Sequence, residues 1–554
     1  MTGYKSVSTL QQRSALVFSI LSLSTLLSAT PDLPSKAAIE SITVADLKSD
    51  LYFLASDEMG GRNINSLFNQ IASRYLSHRF ELMGLRPFSG ESYFQYFSLV
   101  QGKLSEPNRM EIQHSPSPLS TVTTLGEQFF PSTLSANGRV SAPLVFVGYG
   151  ITAHEHDYDD YGELDTKGKI VVVIDGEPGK KNSPSPFDGS ISSEHNRELN
   201  KILNAQSHGA VAVIFVSDPT RRRSRNFSRR MRSVWPDQIS QGRYNLKLWT
   251  NQVKIPVVHV STQTAKTLLQ RSSADLEQIK RRIDREAKPH SFPLPKISTT
   301  LQTAITREET KVRNVMAYLP GSDSTLQNEV VIVSAHFDHV GSSNGDIFNG
   351  ADDDGSGTVG LLEVAEAYAL NPKKPKRSLL FVGWNAEENG LLGSRYYVEH
   401  PIVSLARTVA VFQMDMIGRN EEIPDPKNPR FRGLPRQKAE QNTNSVNILG
   451  YSRSDDLRSL VEQNNQYVGL DLHFRYDNNP SNLLRRSDNW PFLVKGVPAL
   501  FFHTGLHPDY HRPTDTAEKI NYQKMEKIVR LVFLSSWNAS NEPTRPQLNS
   551  SRGK

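Results

Sequence analysis

The residues best able to do chemistry are acidic and histidine side chains that follow apolar runs in the C-terminal half of the chain. They come from segments far apart in the sequence: His336, Asp338, Asp353, Glu387, Glu388, Asp415 and His511. Zinc accepts both imidazole nitrogen and carboxylate oxygen. Two zinc ions about 3.5–4 Å apart need a bridging carboxylate, and hydrolysis needs a further carboxylate as base. The set therefore predicts a hydrolytic site with two zinc ions.

Each of these residues also has an ordinary structural explanation. Residues 352–354 are three aspartates before an apolar helix, where carboxylates can cap the helix N-terminus. Glu387 and Glu388 could be a solvated pair, His336 a core histidine and Asp415 another cap. Taken singly, these explanations are favoured. Taken together at successive predicted strand ends, the residues favour one shared site.

The elements that must position these residues are alternating strands and helices from about residue 305 onward. Helices are predicted over 357–370, 391–399 and 455–468. Buried strands are predicted in the runs NEVVIVSAHFD, RSLLFVGWNAEE, TVAVFQMDMIG, NSVNILGYS and VPALFFHTG. This alternation predicts an α/β domain with a largely parallel sheet and helices on both faces. In such sheets, functional groups gather beyond the carboxyl ends of the strands.

Residues 135–300 are predicted to form a separate β-rich unit. Its strand-length apolar runs are APLVFVGYGI, GKIVVVIDG, GAVAVIFVSD and IPVVHVS, with a helix in NRELNKILNAQSHGA. A loop there carries seven arginines between Arg221 and Arg232. We favour a solvated loop over a nucleic-acid contact, because no nucleic-acid motif or regular aromatic spacing accompanies it. No nucleic-acid partner is expected.

Composition limits the chemistry and the compartment. The chain has 554 residues and no cysteine, which excludes thiolate zinc ligands and cysteine nucleophiles. The net charge of +6, from 64 basic and 58 acidic residues, is too mild to define a partner. Lys5 and Arg13 precede the apolar run SALVFSILSLSTLLSA, which ends at Ala29. This predicts a signal peptide. An uncleaved membrane anchor is the alternative, but the run is shorter than the roughly 20 residues of a span.

Five segments in order resemble the signatures of the M28 family of zinc peptidases: SAHFDH, NGADDDGSG, WNAEENGLLGS, MDMIGR and YHRPTDT. The resemblance extends to LASDEMGGR, YLSHRFELMGLRP and RNVMAYLPGS. The segment DYDDYGELDTKGKIVVVIDG resembles a protease-associated (PA) domain, a common insertion in that family. The N-terminal pattern and this resemblance together predict a signal peptide at 1–29, a peptidase domain in two parts (40–134 and 305–540), a PA-like insert at 135–300 and a polar tail at 541–554.

The resemblance also implies residue roles. Asp353 would bridge two zinc ions, with one completed by His336 and Asp415 and the other by Glu388 and His511. Three further residues would act beside the metals. Glu387 would be the general base, Asp338 would orient the His336 imidazole, and Tyr510 would support the oxyanion.

The activity implied is that of an exported aminopeptidase, periplasmic or extracellular, which cleaves peptides with a free N-terminus and has no membrane span after signal cleavage. Cobalt or manganese could replace zinc. The alternatives on the same fold are a glutaminyl-cyclase-like enzyme, a carboxypeptidase and a non-catalytic receptor-like protein. Three features depart from the family pattern: Asn489 follows Ser487-Asp488, a Pro-rich insertion lies at 421–443, and GGRNINSLFN lacks the usual small-residue run after Gly-Arg. The insertion is either a lid or an inert surface loop.

Overall fold

The computed structural model describes residues 33–549, except 89, 91, 118, 163, 180–184, 188–190, 220–225, 238–241 and 271–274. The predicted signal peptide, the last residues of the predicted tail and part of the arginine-rich loop lie outside the described residues. Among the described helices, none is both long enough and apolar enough to cross a membrane.

Helices occur in three groups along the chain. They are α1 (Lys36–Glu40), α2 (Val44–Leu54), α3 (Leu67–Leu82), α4 (Glu198–Ser207), α5 (Phe227–Val234), α6 (Lys247–Gln252), α7 (Thr262–Leu269), α8 (Leu276–Glu286), α9 (Gly357–Leu370), α10 (Leu392–Glu399), α11 (Asp455–Asn465), α12 (Asn489–Val494) and α13 (Tyr522–Asn541). The predicted helices at 357–370 and 391–399 are α9 and α10. The third, α11, ends at Asn465, before its predicted end.

Within the described residues, the strands form two large sheets and two short hairpins. In chain order they are β1 (Phe94–Leu104), β2 (Arg109–His114), β3 (Ser120–Val122), β4 (Phe129–Pro131), β5 (Gly138–Val147), β6 (Thr152–Ala153), β7 (Tyr158–Asp159), β8 (Ile170–Ile174), β9 (Ala212–Val216), β10 (Tyr244–Leu246), β11 (Val257–Val260), β12 (Ser291–Thr303), β13 (Ile305–Leu319), β14 (Val330–His336), β15 (Gly341–Ser343), β16 (Asp346–Phe348), β17 (Ser378–Trp384), β18 (Thr408–Met414), β19 (Ser445–Leu449), β20 (Asp471–His473) and β21 (Ala499–His503).

The first sheet has the order β10-β1-β13-β17-β14-β18-β21-β19-β20. Its centre, β17-β14-β18-β21, is parallel. The strands β13, β1 and β10 add to one side in antiparallel fashion, and β19 adds antiparallel to β21 on the other. The predicted α/β class is confirmed, with the parallel pairing concentrated where the predicted site residues follow the strands.

Helices cover both faces of the first sheet, as predicted. In β14, Val331 and Val333 pack with helices α2, α9 and α13. The alternate residue Ile332 packs with Tyr397 of α10 and Phe492 of α12 on the other face. Because both faces are buried, the central strands read as continuous apolar runs.

The second sheet has the order β3-β2-β12-β5-β8-β9-β11-β4, with β5, β8, β9 and β11 parallel. Its first strands in the chain, β2 to β4, precede residue 135. The three-residue strand β10 lies within the predicted unit at 135–300 but pairs with β1 of the first sheet. Helices α4 to α8 make this unit less β-rich than predicted. In α8, the buried residues Leu276, Ile279 and Ile283 have helical spacing.

Candidate metal centre

The parallel strands deliver the predicted site residues to one edge of the first sheet. His336 is the last residue of β14 and pairs in register with Trp384, the last residue of β17. Glu387 follows β17 by a short turn, and Asp415 directly follows β18. This register is what brings side chains from distant segments together.

One group of possible ligand atoms surrounds the imidazole of His336. Its Nε2 lies 3.4 Å from Oδ1 of Asp353 and 3.6 Å from Oδ2 of Asp415. All three residues are buried. Ligand atoms of a tetrahedral zinc ion with bonds near 2.0–2.1 Å lie about 3.3 Å apart. The imidazole nitrogen therefore lies near this spacing from both carboxylate oxygens, and all three atoms lie within 4.8 Å of one another.

A second group lies on the other side of Asp353. Nε2 of His511 is 2.9 Å from Oδ2 of Asp353 and 3.1 Å from Oε2 of Glu388. The two carboxylate oxygens of Asp353 thus face different groups. A carboxylate in this arrangement can bridge two cations.

Several buried polar atoms in these groups have no hydrogen-bond partner among the described residues. They include Nε2 of His336, Oδ2 of Asp353, Oε1 of Glu388 and Nε2 of His511. Such atoms are rare, because burial without a partner is costly. Here they approach one another closely without hydrogen-bond geometry. The donor set therefore fits metal ions.

The electrostatics of the centre also favour positive charge. Burial alone would lower the pKa of His336, but the carboxylates of Glu387 and Asp415 raise it well above its usual range. Burial likewise opposes ionisation of Asp353, yet the imidazoles of His336 and His511 hold its pKa well below the usual value. The carboxylates outnumber the imidazoles, so the centre is a strong cation attractor.

Glu387 stands slightly apart from both groups. Its Oε2 lies 3.8 Å from Nε2 of His336, and the residue is only 9% exposed. Burial raises the pKa of Glu387 well above its usual range, and the neighbouring carboxylates of Glu388 and Asp415 add to this effect. A buried carboxyl group beside these donors is placed to accept a proton and return it.

Asp338 supports the centre through the main chain. Its carboxylate accepts hydrogen bonds from the main-chain N–H groups of Glu387 at 3.1 Å and Glu388 at 3.3 Å. Nδ1 of His336 lies 3.2 Å from the main-chain oxygen of Asp338 and 3.8 Å from its carboxylate. The Asp338 carboxylate therefore holds the Glu387-Glu388 turn more directly than the imidazole.

The two aspartates beside Asp353 accept hydrogen bonds from surrounding main chain. Asp352 accepts from Gly418 at 2.6 Å. Asp354 accepts from the N–H groups of His336 at 3.0 Å and Gly357 at 2.8 Å. The central carboxylate of the aspartate run therefore faces both groups of possible ligands. The carboxylates on either side of it hold the loop and the start of α9 in place.

Two further residues reach the centre without having been assigned a role from the sequence. His339 is buried, and its Nδ1 lies 2.7 Å from Oε1 of Glu388 and 3.9 Å from Oδ2 of Asp353. Its position at the end of the SAHFDH motif is the sequence feature that could have identified it. Arg62, which is 1% exposed, donates to the carbonyls of Phe337, Leu54, Asn349 and Gly350. It ties the N-terminal GGR motif to the loop before Asp353.

A pocket opens above the centre. It is lined by Asp353, Glu387, Asp415, Met416, Leu483, Arg486, Phe501, His503, Leu506 and Tyr510. Burial raises the pKa of Tyr510 well above its usual range, and its ring stacks on His511 with centroids 4.0 Å apart. Asn489 donates to the carbonyl of Leu484 at 3.2 Å, which supports the segment behind the pocket.

The insertion at 421–443 packs against residues of the pocket wall but does not itself line the pocket. Ile423, Phe431 and Leu434 are buried in the same apolar cluster as Leu483 and Leu506. The segment is therefore packed structure and not a free surface loop.

Two family models match this chain, one in the predicted peptidase domain and one in the predicted insert. Residues 314–535 match the family model of peptidase family M28, and residues 140–268 match that of the PA domain. The chain is 24% identical over 415 residues to aminopeptidase YwaD of Bacillus subtilis (strain 168), covering 74% of this chain and 69% of the relative.

Two other similar proteins differ in coverage. Leupeptin-inactivating enzyme 1 of Streptomyces exfoliatus is 31% identical over 225 residues, which cover 40% of this chain and 42% of that protein. The match thus spans less than half of that relative. The solved structure of an aminopeptidase from Aneurinibacillus sp. strain AM-1 is 20% identical, with a TM-score of 0.49, covering 93% of this chain and 97% of the other.

Proposed function

Since this chain belongs to peptidase family M28 and carries a PA domain, we propose that it is a metallo-aminopeptidase with a dinuclear zinc centre. The observation that supports the dinuclear centre best is the orientation of Asp353. Its two carboxylate oxygens face separate groups of buried donors. The predicted signal peptide supports export of the enzyme.

In this proposal His336, Asp353 and Asp415 hold one ion, and Asp353, Glu388 and His511 hold the other. When bound, the zinc ions polarise the substrate carbonyl and increase the acidity of water at the site. His339, beside Glu388, is an additional donor next to the second ion.

Glu387 would be the general base. Its carboxylate lies beside His336 but belongs to neither group of proposed ligands, and burial raises its pKa, which favours its acceptance of a proton. It would take a proton from the attacking water and give it to the leaving amine. Tyr510, at the pocket wall, would donate a hydrogen bond to the developing oxyanion.

The substrates would be peptides with a free N-terminus. The acidic side chains of the centre attract an α-ammonium group, while Met416, Leu483 and Leu506 offer apolar contact to the N-terminal side chain. Arg486 in the same pocket favours carboxypeptidase action as a second candidate, because a guanidinium can bind a substrate carboxylate.

The test uses aminoacyl-p-nitroanilides and their N-acetylated forms, together with N-acetyl dipeptides that have a free carboxylate. The wild type should cleave only the free-amine compounds and bind two zinc ions in its first sheet. Glu387→Ala should retain the metal and lose about 10²–10⁴-fold in kcat. The exposed Glu440→Gln is the matched control. Cleavage of the N-acetyl dipeptides alone would support the carboxypeptidase candidate, and a wild type that holds no zinc would overturn the dinuclear centre.

A further inference from the structure

A second cluster of potential metal ligands lies outside the candidate metal centre. It belongs to the segment that matches the PA domain, residues 140–268, which we call the PA-domain unit. Glu155 and His156 belong to the turn after β6, and His195 belongs to the turn before α4. One ligand atom from each of the three residues lies within 4.8 Å of the other two. None of them lines the pocket above the candidate centre.

The three side chains converge with defined geometry. Nε2 of His195 lies 2.9 Å from Oε1 of Glu155. The imidazole rings of His156 and His195 are nearly perpendicular, at 89°, with centroids 5.9 Å apart. A simple ion pair accounts for His195 and Glu155 but gives no reason for the approach of His156.

Phe187 holds both imidazoles from one side. Its ring centroid is 5.3 Å from that of His156 and 5.3 Å from that of His195. Phe187 itself packs against the buried Tyr158 with centroids 5.6 Å apart. Because a core residue backs both rings, their nitrogens are positioned before any ligand arrives. The Glu155 side chain is 62% exposed, so the opposite side is open to water.

We propose that Glu155, His156 and His195 bind a single divalent transition-metal ion of the zinc class. Two imidazoles and one carboxylate are a common zinc ligand set, and a water molecule can complete a tetrahedral site. Calcium and magnesium are disfavoured because they select all-oxygen ligands. The proposal does not depend on the dinuclear centre.

The position of this ion would affect the candidate active site. Glu194, next to His195, accepts hydrogen bonds from Arg395 at 3.1 Å, Arg485 at 3.3 Å and Trp490 at 2.7 Å. Ile191 packs in the apolar cluster that forms the pocket wall. An ion at His195 would therefore rigidify the segment that joins the PA-domain unit to the wall of the pocket.

The test counts zinc ions on the full chain. Metal-free wild type, His156→Ala/His195→Ala and the control His154→Ala are equilibrated with buffered zinc, separated from free metal and analysed by mass spectrometry of the elements. His154 is an exposed neighbour outside the cluster. We expect the double variant to hold one zinc ion fewer than the wild type, and His154→Ala to match the wild type.

Two additions keep the result interpretable. Asp353→Ala, which disrupts the candidate centre, should still hold one ion, and that ion should be lost when the double substitution is added. The conservative double variant His156→Gln/His195→Gln tests whether loss of zinc comes from loss of the fold. Its melting temperature in the presence of a chelator should equal that of the wild type. Equal zinc content in the wild type and both folded double variants would overturn the PA-domain site while leaving the proposed peptidase function untouched. A wild type that holds only the PA-domain ion would overturn the proposed dinuclear centre and leave the PA-domain site standing.

Discussion

The guanidinium of Arg430 donates a hydrogen bond to the main-chain carbonyl of Tyr510, the residue directly before His511. It also donates to the carbonyl of Pro508 at 3.2 Å. His511 has a left-handed backbone with φ of 53°, a conformation that residues other than glycine rarely adopt. The insertion at 421–443 therefore stabilises the loop that presents a proposed zinc ligand.

Removal of this contact should weaken zinc binding. We expect Arg430→Ala to lower zinc affinity and kcat by about 10–100-fold, the size of effect typical of groups that orient a ligand. Zinc affinity is measured by dialysis against metal buffers. The exposed Arg432→Ala, on the same insertion, is the control and should behave as the wild type. Unchanged zinc affinity in a folded Arg430→Ala would show that the insertion does not position His511.

Asp338 offers a test of the main-chain support beneath the proposed base. Asp338→Asn keeps the shape of the side chain but leaves a single acceptor oxygen for the N–H groups of Glu387 and Glu388. We expect kcat to fall by about 10–100-fold with little change in melting temperature. Asp346→Asn, in the exposed hairpin nearby, is the control. A variant with wild-type kcat would show that this turn needs no carboxylate.

Glu194 tests the junction between the PA-domain unit and the pocket wall. Burial opposes its ionisation, but Arg395 and Arg197 hold the pKa of Glu194 below its usual range. Glu194→Ala leaves several partly buried guanidinium groups without their shared acceptor. We expect it to lower the free energy of unfolding by about 3–5 kcal/mol at neutral pH.

The same lowered pKa sets the pH dependence of this effect. A carboxyl group with a lowered folded-state pKa stabilises the fold at pH values above its unfolded-state pKa. The difference in free energy of unfolding between the wild type and Glu194→Ala should therefore shrink as pH falls below about 4.5. The control Glu277→Ala removes an exposed pair with Arg281 and should cost no more than about 0.5 kcal/mol. Equal melting curves for the two variants would exclude a structural role for Glu194.

The predicted strand ends account for most of the candidate centre. His336, Glu387 and Asp415 follow apolar runs whose length and flanking residues mark buried strands, and register in a parallel sheet then brings them to one edge. The apolar runs and their flanking residues are local features, so they can be recognised from the sequence. The assignment of individual ligands stays a prediction.

Other contacts could not be predicted, because they depend on packing between distant segments. Strand β10 has three residues, too few to show a period, and its pairing with β1 is decided by the surrounding fold. The approach of His339 to Glu388 and the four carbonyl contacts of Arg62 likewise depend on side-chain geometry across elements.

Glu363 in α9 gives a prediction about stability that is independent of metal. It is 2% exposed, and its Oε1 has no hydrogen-bond partner among the described residues. Burial raises the pKa of Glu363 to about 8, and the nearby carboxylate of Glu366 adds to the effect. The folded chain therefore keeps a proton that the unfolded chain loses near pH 4.5.

Between these values the folded state binds more protons, so the free energy of unfolding should fall as pH rises from about 4.5 to 8, by at most about 1.4 kcal/mol per pH unit from this group. Glu363→Gln cannot ionise and should reduce this slope, so that its stability relative to the wild type improves by a few kcal/mol between pH 5 and 8. Melting temperatures at intervals across that range measure the slope. Glu462→Gln in α11, whose side chain is 43% exposed, is the control and should leave the slope close to that of the wild type. Parallel curves for Glu363→Gln and the wild type would mean that Glu363 is already ionised in the folded protein.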